Sequence, residues 1–270
     1  MSENNMLNQH SGHQSRTLNS VFLDREVQLD LFFPEDLMGN EKLNLLLLND
    51  GQDAEQMGLE EMLAALYSDQ KIEPLLVVAV HASADRVMEY GVAGIPDYAG
   101  RGARAGAYAS FVNQELLPYI AAFCGMPIQG KKGIAGYSLG GLAAFDIAWK
   151  NPENFDLTGV FSGSFWWRSK DLKENYTEQD RIMHEVIRQT AGKPALKFWL
   201  MTGTEDETAD RNKNGIIDSI DDTIDIIREL LSKDYSRPGH IFYYEMVGGK
   251  HDLKSWAKAM PAFLIWAFGR

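Results

Sequence analysis

Apolar residues along this chain follow two alternating patterns, one typical of strands and the other of helices. Residues 75–80 are continuously apolar, and residues 43–48 are apolar except for Asn44, as expected of strands that are buried on both faces of a sheet. Residues 26–33 alternate between apolar and polar side chains, which predicts a half-buried strand near a sheet edge. Shorter strands are predicted at residues 18–22, 133–135, 157–161, 196–201 and 241–247.

Stretches with helical spacing of apolar residues separate these strands. Helices are predicted at residues 57–66, 107–123, 142–149, 171–191, 220–231 and 256–267, with a kink at Pro118 in the second. Strands that alternate with helices predict an α/β fold with a mostly parallel sheet. In such sheets ligands gather at the carboxyl ends of the strands, so the loops that follow the strands are where we look for chemistry.

Composition and charge narrow the class of protein. The 270 residues are 45% hydrophobic and 24% charged, which suits a single globular domain. A net charge of −12 argues against nucleic acid as the main partner, because binding phosphates needs clustered Lys and Arg. No apolar run approaches the ~20 residues that cross a bilayer, so no membrane partner is expected. Cys124 is the one cysteine, which excludes an intramolecular disulfide.

The first residues are polar and differ from the rest. Residues 1–17 are rich in Asn, Gln, Ser and His, and we predict a flexible tail there, followed by one domain over residues 18–270. His10 and His13 have the chemistry to bind metal, but a flexible polar lead-in is the simpler interpretation. The tail has no apolar segment typical of a secretory signal. This predicts a cytoplasmic location and leaves a removed signal open.

The most informative stretch is Gly136-Tyr137-Ser138-Leu139-Gly140. It has the form G-x-S-x-G, between a predicted strand and a predicted helix. In a nucleophile elbow, small flanking residues let the strand and the helix approach closely and expose the serine at the tip of the turn. The alternative is a Gly-rich turn with an incidental serine.

Two more catalytic groups follow strand ends, in the order serine, acid, histidine. Asp206 and His251 lie after the strands at 196–201 and 241–247. A serine hydroxyl needs a base, for which His251 is suited, and a carboxylate to orient the imidazole. Asp206 is the preferred acid, with Glu205 and Glu207 as alternatives. The two oxyanion N–H groups are predicted at Gln52 and Leu139.

A second constellation follows the predicted acid. Residues 210–221 match the twelve-residue calcium-loop pattern, with Gly at position six. Its predicted oxygen donors are Asp210, Asn212, Asn214, the carbonyl of Ile216, Asp218 and Asp221. The alternative is a solvated acidic turn. We expect any Ca²⁺ to be structural, holding the segment that carries Asp206, and no organic cofactor is indicated.

Several motifs together resemble the esterase family that includes esterase D and the enterochelin-esterase-like proteins. The resemblance runs from about residue 20 to the C-terminus. Its marks are Asp50-Gly51-Gln52, Arg86 with Glu89-Tyr90, Gly136-Tyr137-Ser138-Leu139-Gly140-Gly141, Ser162-Gly163-Ser164, Gly203-Thr204-Glu205-Asp206 and Gly249-Lys250-His251-Asp252. The resemblance implies an α/β-hydrolase fold, with helices on both faces of the sheet and a Ser138–Asp206–His251 triad. The calcium-like loop and Lys250 depart from the general family pattern.

The resemblance implies a small-molecule ester as substrate, because the family's common step is attack on an acyl carbonyl. An aromatic cleft for a sugar- or phenolic-linked ester is predicted from Tyr90, Tyr98, Trp166 and Trp167. A basic cleft for an anionic siderophore ester is predicted from Arg86, Arg101, Arg104 and Arg168. For the tryptophans, a purely structural role in the core is an equal alternative. An acyltransferase or a calcium-stabilised binding protein without catalysis would use the same scaffold. The pattern indicates no oligomeric state.

Overall fold

The computed structural model describes residues 12–34, 42–124 and 128–270. Eight strands form one sheet in the order β1-β2-β4-β3-β5-β6-β7-β8. Their bounds are β1 Gly12–Ser20, β2 Arg25–Phe33, β3 Asn44–Asn49, β4 Leu75–Val80, β5 Lys132–Tyr137, β6 Leu157–Phe161, β7 Lys197–Glu205 and β8 Ile241–Lys250. β1 and β2 pair antiparallel, and β2 pairs antiparallel with β4. All other pairs are parallel, which confirms the predicted α/β class.

Helices cover both faces of this sheet. They are α1 Ala54–Met57, α2 Leu59–Ser68, α3 Arg86–Glu89, α4 Ala105–Ser110, α5 Leu117–Cys124, α6 Leu139–Lys150, α7 Ile182–Gln189, α8 Asp218–Ser232 and α9 Leu253–Phe268. The continuously apolar strands explain this layering. In β3, Leu45 and Leu47 join one hydrophobic cluster, with α6, while Leu46 and Leu48 join another, with α2 and α9. Successive strand residues point to opposite faces, so only a strand covered on both sides is apolar throughout.

The predicted flexible tail is wrong for residues 12–17. They belong to β1, which pairs with β2 along its whole length, from Gly12 opposite Phe33 to Ser20 opposite Arg25. β1 is an edge strand whose side chains, apart from that of Ser20, are exposed or half-buried, so its polar composition does not distinguish it from a tail. His13 stacks on Phe32 at 4.5 Å between ring centroids. Residues 1–11, including His10, lie outside the described residues.

Two predicted helices differ from the structure. Between residues 171 and 191 the α-helix is confined to α7, after a short 3-10 turn at Glu178–Asp180. The predicted helix at 107–123 is present, but a π-helical segment, Phe111–Leu116, joins α4 to α5 directly before Pro118. Because proline has no N–H to donate, the irregular hydrogen bonding falls on the turn that precedes it.

The structure also contains no helix, within the ranges it describes, that is long and apolar enough to cross a membrane.

Candidate active site

Ser138 lies on the sharp turn between β5 and α6. Its backbone has φ 56° and ψ −126°, a conformation that costs energy for a residue other than glycine. The turn is closed by near contact of backbones, since a Cβ added to Gly136 would lie 2.5 Å from the carbonyl oxygen of Gly140. Glycine at position 136 is therefore required by space, and the half-buried serine is held at the tip of the turn.

His251 follows β8 and meets Ser138 across the sheet edge. The Nε2 atom of His251 lies 2.9 Å from Ser138 Oγ, within hydrogen-bond distance. The imidazole and the Trp256 ring meet edge to face, with ring centroids 5.1 Å apart. His251 is exposed at the surface, but partial burial of its imidazole lowers the pKa of His251 below its ordinary value. A neutral imidazole is the form that accepts a proton.

Asp206 begins the loop after β7, and its carboxylate is buried. One oxygen accepts a hydrogen bond from Gly203 N at 3.0 Å, and the other accepts one from Ser162 Oγ at 3.0 Å. Burial raises the pKa of Asp206, whereas these two hydrogen bonds and the charge of His251 act to lower it. Within the described ranges no direct hydrogen bond joins Asp206 to His251, although the two groups are close enough to interact by charge.

The two alternative acids have different surroundings. Glu205 is the last residue of β7 and is exposed, with its carboxylate 3.8 Å from Lys250 Nζ. Glu207 is half-buried. The pKa of its carboxyl is raised mainly by this burial and further by repulsion from Asp218. Asp206 is thus the acid whose buried carboxylate interacts with the imidazole.

The two predicted oxyanion amides each lie in the first turn of a helix. Leu139 begins α6, and Gln52 lies in the 3-10 turn that leads into α1. First-turn N–H groups have no intrahelical acceptor. The loop that carries Gln52 is tied to the elbow, because Asn49 Nδ2 donates to Gly140 O at 2.8 Å and Tyr137 Oη donates to Asp50 O at 2.9 Å.

Arg86, predicted as a substrate-binding residue, is engaged by the protein itself. Its guanidinium donates two hydrogen bonds to the Asp50 carboxylate, at 2.6 and 2.8 Å, and lies over the ring of Tyr90. Burial raises the pKa of Asp50, and the ion pair with Arg86 opposes that effect. Arg86 thus helps to hold the loop between β3 and Gln52.

Two predicted substrate-binding side chains lie in the core instead. Tyr90 and Trp167 are 1% and 0% exposed, so neither lines an open cleft, and for Trp167 the core alternative is correct. Trp167 fits against Gly91 and Gly102, where an added Cβ would lie 2.9 and 2.8 Å from the indole ring. Trp166 is half-buried and Tyr98 is exposed, so these two of the four predicted aromatic residues are accessible.

Trp166 belongs to a surface cluster that we call the arginine–aromatic patch: Tyr98, Arg101, Trp166, Arg168 and Tyr176. The Arg168 guanidinium lies 4.8, 6.0 and 5.9 Å from the ring centroids of Tyr98, Trp166 and Tyr176. Arg168 Nε is buried without a hydrogen-bond partner among the described residues. The patch follows β4 and β6, at the same edge as Ser138.

The predicted calcium loop has a defined conformation. Asp210 accepts hydrogen bonds from Asn214 N and Gly215 N at 3.1 and 2.9 Å. The amide groups of Asn212 and Asn214 both donate to one oxygen of Asp221, at 2.7 and 2.6 Å. Hydrogen bonds therefore link four predicted ligand residues, at positions one, three, five and twelve of the loop, with the amide nitrogens of Asn212 and Asn214 directed at Asp221.

Position nine of that loop differs. The carboxylate of Asp218 accepts a hydrogen bond from Arg211 N at 2.9 Å and lies 3.2 Å from Arg211 Nη1. Helix α8 begins at Asp218, inside the loop rather than after it. Asp210, Asn212, Asn214 and Asp221 have the side-chain chemistry that suits a hard, oxygen-preferring cation. Asp218 is instead paired with Arg211.

Sequence reasoning did not find the residues that surround the predicted acid and base. Ser162 and Trp256 contact Asp206 and His251, and Tyr137 stacks on Trp256 at 4.5 Å between centroids. Ser162 lies in one of the motifs that carry the family resemblance, and Trp256 follows the motif that ends at Asp252. Nothing in the spacing of these motifs indicates that the two side chains meet.

The eight-stranded sheet, the elbow and the serine–histidine contact define an α/β-hydrolase fold with a candidate nucleophile at its carboxyl edge. The sequence matches a family model described as "Putative esterase" over residues 20–267, so the chain belongs to this esterase family, a family of carboxylic ester hydrolases. A comparison with curated protein sequences gave no match.

Several solved structures share the fold. Enterobactin esterase FES from Shigella flexneri, in the presence of enterobactin, is 22% identical with a TM-score of 0.73. The matched region covers 94% of this chain and 58% of the esterase chain. BES protein from Bacillus cereus is 18% identical with a TM-score of 0.70, covering 96% and 95%. A ferulic acid esterase is 15% identical with a TM-score of 0.68, covering 96% and 99%. This chain thus spans little more than half the length of the enterobactin esterase.

The surroundings of His251 predict its titration. We expect the imidazole to gain its proton below its ordinary pKa of about 6.5, because burial disfavours the imidazolium ion. NMR titration of the imidazole C–H resonances measures this, with His251→Gln to assign the signal. In the urea-unfolded chain the same resonance should titrate near the ordinary value. A folded-state midpoint at or above that value would contradict the partial burial of the His251 imidazole.

Proposed function

We propose that this chain hydrolyses carboxylic esters through an acyl-enzyme on Ser138. The observation that carries the proposal is the 2.9 Å contact between Ser138 Oγ and His251 Nε2, because a serine hydroxyl becomes an effective nucleophile only beside a base. The position of both residues at the carboxyl edge of the sheet supports it, as does membership of the esterase family.

The proposed reaction begins when Ser138 Oγ attacks the ester carbonyl and its proton passes to His251 Nε2. Asp206 stabilises the imidazolium by charge. The N–H groups of Gln52 and Leu139 stabilise the oxyanion of the tetrahedral intermediate. The imidazolium then protonates the leaving alcohol. Water, activated by His251, releases the acid and restores Ser138.

We further propose that the substrate carries an aromatic ring and a negative charge. The arginine–aromatic patch supports this, because Arg168 lies among three rings with its Nε atom buried and unpartnered. Arg168 as a whole is half-buried, and its side chain forms no ion pair or hydrogen bond among the described residues. The exposed part of its guanidinium is therefore available to an anionic group of the substrate. The similar enterobactin esterase was solved with 2,3-di-hydroxy-N-benzoyl-serine, and another similar structure is a ferulic acid esterase. Both names denote aromatic compounds.

We also propose that residues 210–221 bind Ca²⁺ in a structural role. Hydrogen bonds link Asp210, Asn212, Asn214 and Asp221 to one another within this loop. Their carboxylate and amide groups carry the kind of oxygen that Ca²⁺ prefers. The bound ion would supply positive charge among these carboxylates and fix the segment between β7 and α8. Asp206 lies in that segment, so the ion would stabilise the position of the acid without touching the substrate.

Ser138→Ala should abolish turnover. We expect hydrolysis of p-nitrophenyl acetate to fall by at least about a thousandfold, because the nucleophile is removed, and labelling by a fluorophosphonate to disappear. Ser169→Ala, an exposed serine in a nearby loop, is the matched control and should keep both. Equal labelling of the Ser138→Ala variant would contradict the proposal. Product analysis with an added alcohol separates hydrolysis from acyl transfer.

Arg168→Gln should change substrate preference rather than catalysis. For 4-carboxyphenyl benzoate we expect kcat/KM to fall about tenfold, the effect of losing a charge-assisted hydrogen bond. For uncharged phenyl benzoate it should stay within about twofold. Arg237→Gln is the matched control, because Arg237 also lies over one ring, that of Tyr243, but outside the patch. An equal loss for both esters would count against an anionic substrate.

Calcium should stabilise the folded chain. After treatment with a chelator, saturating Ca²⁺ should raise Tm by several degrees, because an ion that binds only the folded state adds on the order of 3 kcal/mol at a hundred times its Kd. Asp210→Ala should remove the shift, whereas Asp69→Ala, at the exposed end of α2, should keep it. An unchanged Tm at millimolar Ca²⁺, or an equal response to Mg²⁺, would refute the site.

A further inference from the structure

Ser162 lies directly after β6 in an unusual position for a serine. Its side chain is 2% exposed, and its backbone has φ 47°, a left-handed conformation that costs energy for a residue with a Cβ. Its hydroxyl donates to Asp206 Oδ1 at 3.0 Å and accepts a hydrogen bond from Trp256 Nε1 at 3.0 Å. A buried, strained residue that joins two others in this way requires an explanation.

Trp256 contacts the same group of residues from the other side. Besides its hydrogen bond to Ser162, its ring meets the imidazole of His251 edge to face at 5.1 Å. It is itself fixed by stacking on Tyr137 at 4.5 Å. Trp256 therefore touches both the base and the residue that holds the acid.

The acid needs such support, because nothing in the described residues bonds it directly to His251. Its second oxygen accepts a hydrogen bond from Gly203 N at 3.0 Å, so the backbone alone fixes one end of the carboxylate. The Ser162 hydroxyl fixes the other end, and its single proton points to Asp206 because Trp256 can only donate. The two contacts together set the rotation of the carboxylate about its Cβ–Cγ bond.

We propose that Ser162, oriented by Trp256, is a positioning residue that sets the Asp206 carboxylate against His251. The inference rests on the proposed role of Asp206 as the orienting acid. It explains why a strained serine is found where glycine would relieve the backbone, since glycine lacks the hydroxyl. It also gives Trp256 a function that stacking on Tyr137 does not require.

The test is a set of paired variants assayed with p-nitrophenyl acetate. Ser162→Gly removes the hydroxyl and suits the positive φ, so it is expected to fold, and Ser162→Ala is its strained counterpart. Both should lower kcat about tenfold, the loss expected for a hydrogen bond to a charged group, with KM within about twofold. Trp256→Phe keeps a ring against Tyr137 but removes the N–H, and should lower kcat about threefold.

The deciding measurement repeats Ser162→Gly and Ser162→Ala in the Asp206→Ala background. If Ser162 acts through Asp206, Ser162→Gly should have no further effect on kcat there, because coupled residues are not additive. A tenfold loss in that background, or wild-type kcat in Ser162→Gly alone, would overturn this inference and leave the role of Ser138 intact. Full activity of Asp206→Ala itself would overturn the role of the acid and the inference together.

Discussion

The close approach of β5 and α6 at Gly136 and Gly140 is the constraint on which the rest of the site depends. No side chain fits between the two backbones, and the strand and helix meet at a turn that Ser138 completes in a strained conformation. The loop that carries Gln52 contacts the same end of α6, because Gly140 O accepts a hydrogen bond from Asn49. A Cβ added to Gly140 would lie only 2.5 Å from Asp50 Oδ2. One packing contact therefore places both the proposed nucleophile and the proposed oxyanion donors, and backbone strain of this kind persists only where such contacts over-determine it.

Buried carboxylates form the second layer around this contact. Asp50 is paired with Arg86, Glu89 with Arg25, and Asp206 with two neutral donors. Burying a charge is costly unless it is paired and hydrogen-bonded. The two ion pairs fix loops, since Asp50 precedes Gln52 and Glu89 joins α3 to the β1–β2 hairpin. Asp206 differs, because among the described residues it has no arginine or lysine partner and interacts by charge with His251. Its neutral donors hold it without cancelling the charge that the proposed reaction requires.

Much of the fold was predictable because its signals are local. β4 is apolar throughout and β3 is apolar between its two terminal asparagines, because both faces of each strand are covered. The elbow is recognisable from two glycines around a serine. The order of serine, acid and histidine after successive strands gave the candidate site. β1 was not predictable, because an edge strand with exposed polar side chains has the composition of a tail. The burial of Trp167 and Tyr90 and the link from Ser162 to Trp256 were also beyond the sequence. These contacts join residues that are far apart in the chain, so the spacing of apolar residues along the sequence does not predict them.

The segment between β7 and α8 connects three features that the sequence presented as separate. It carries Asp206, the calcium-like loop and Arg211, whose guanidinium pairs with Asp222 and Glu178 and lies 5.8 Å from the ring centroid of Tyr176. Tyr176 belongs to the arginine–aromatic patch. A conformational change in the loop would therefore act in two directions, on the acid at one end and on the patch through Arg211 at the other. Arg211 also pairs with Asp218, the ninth loop position. An ion that coordinated Asp218 would therefore have to break the ion pair between Asp218 and Arg211. The arrangement makes Arg211 the residue through which loop occupancy and the shape of the patch would be coupled.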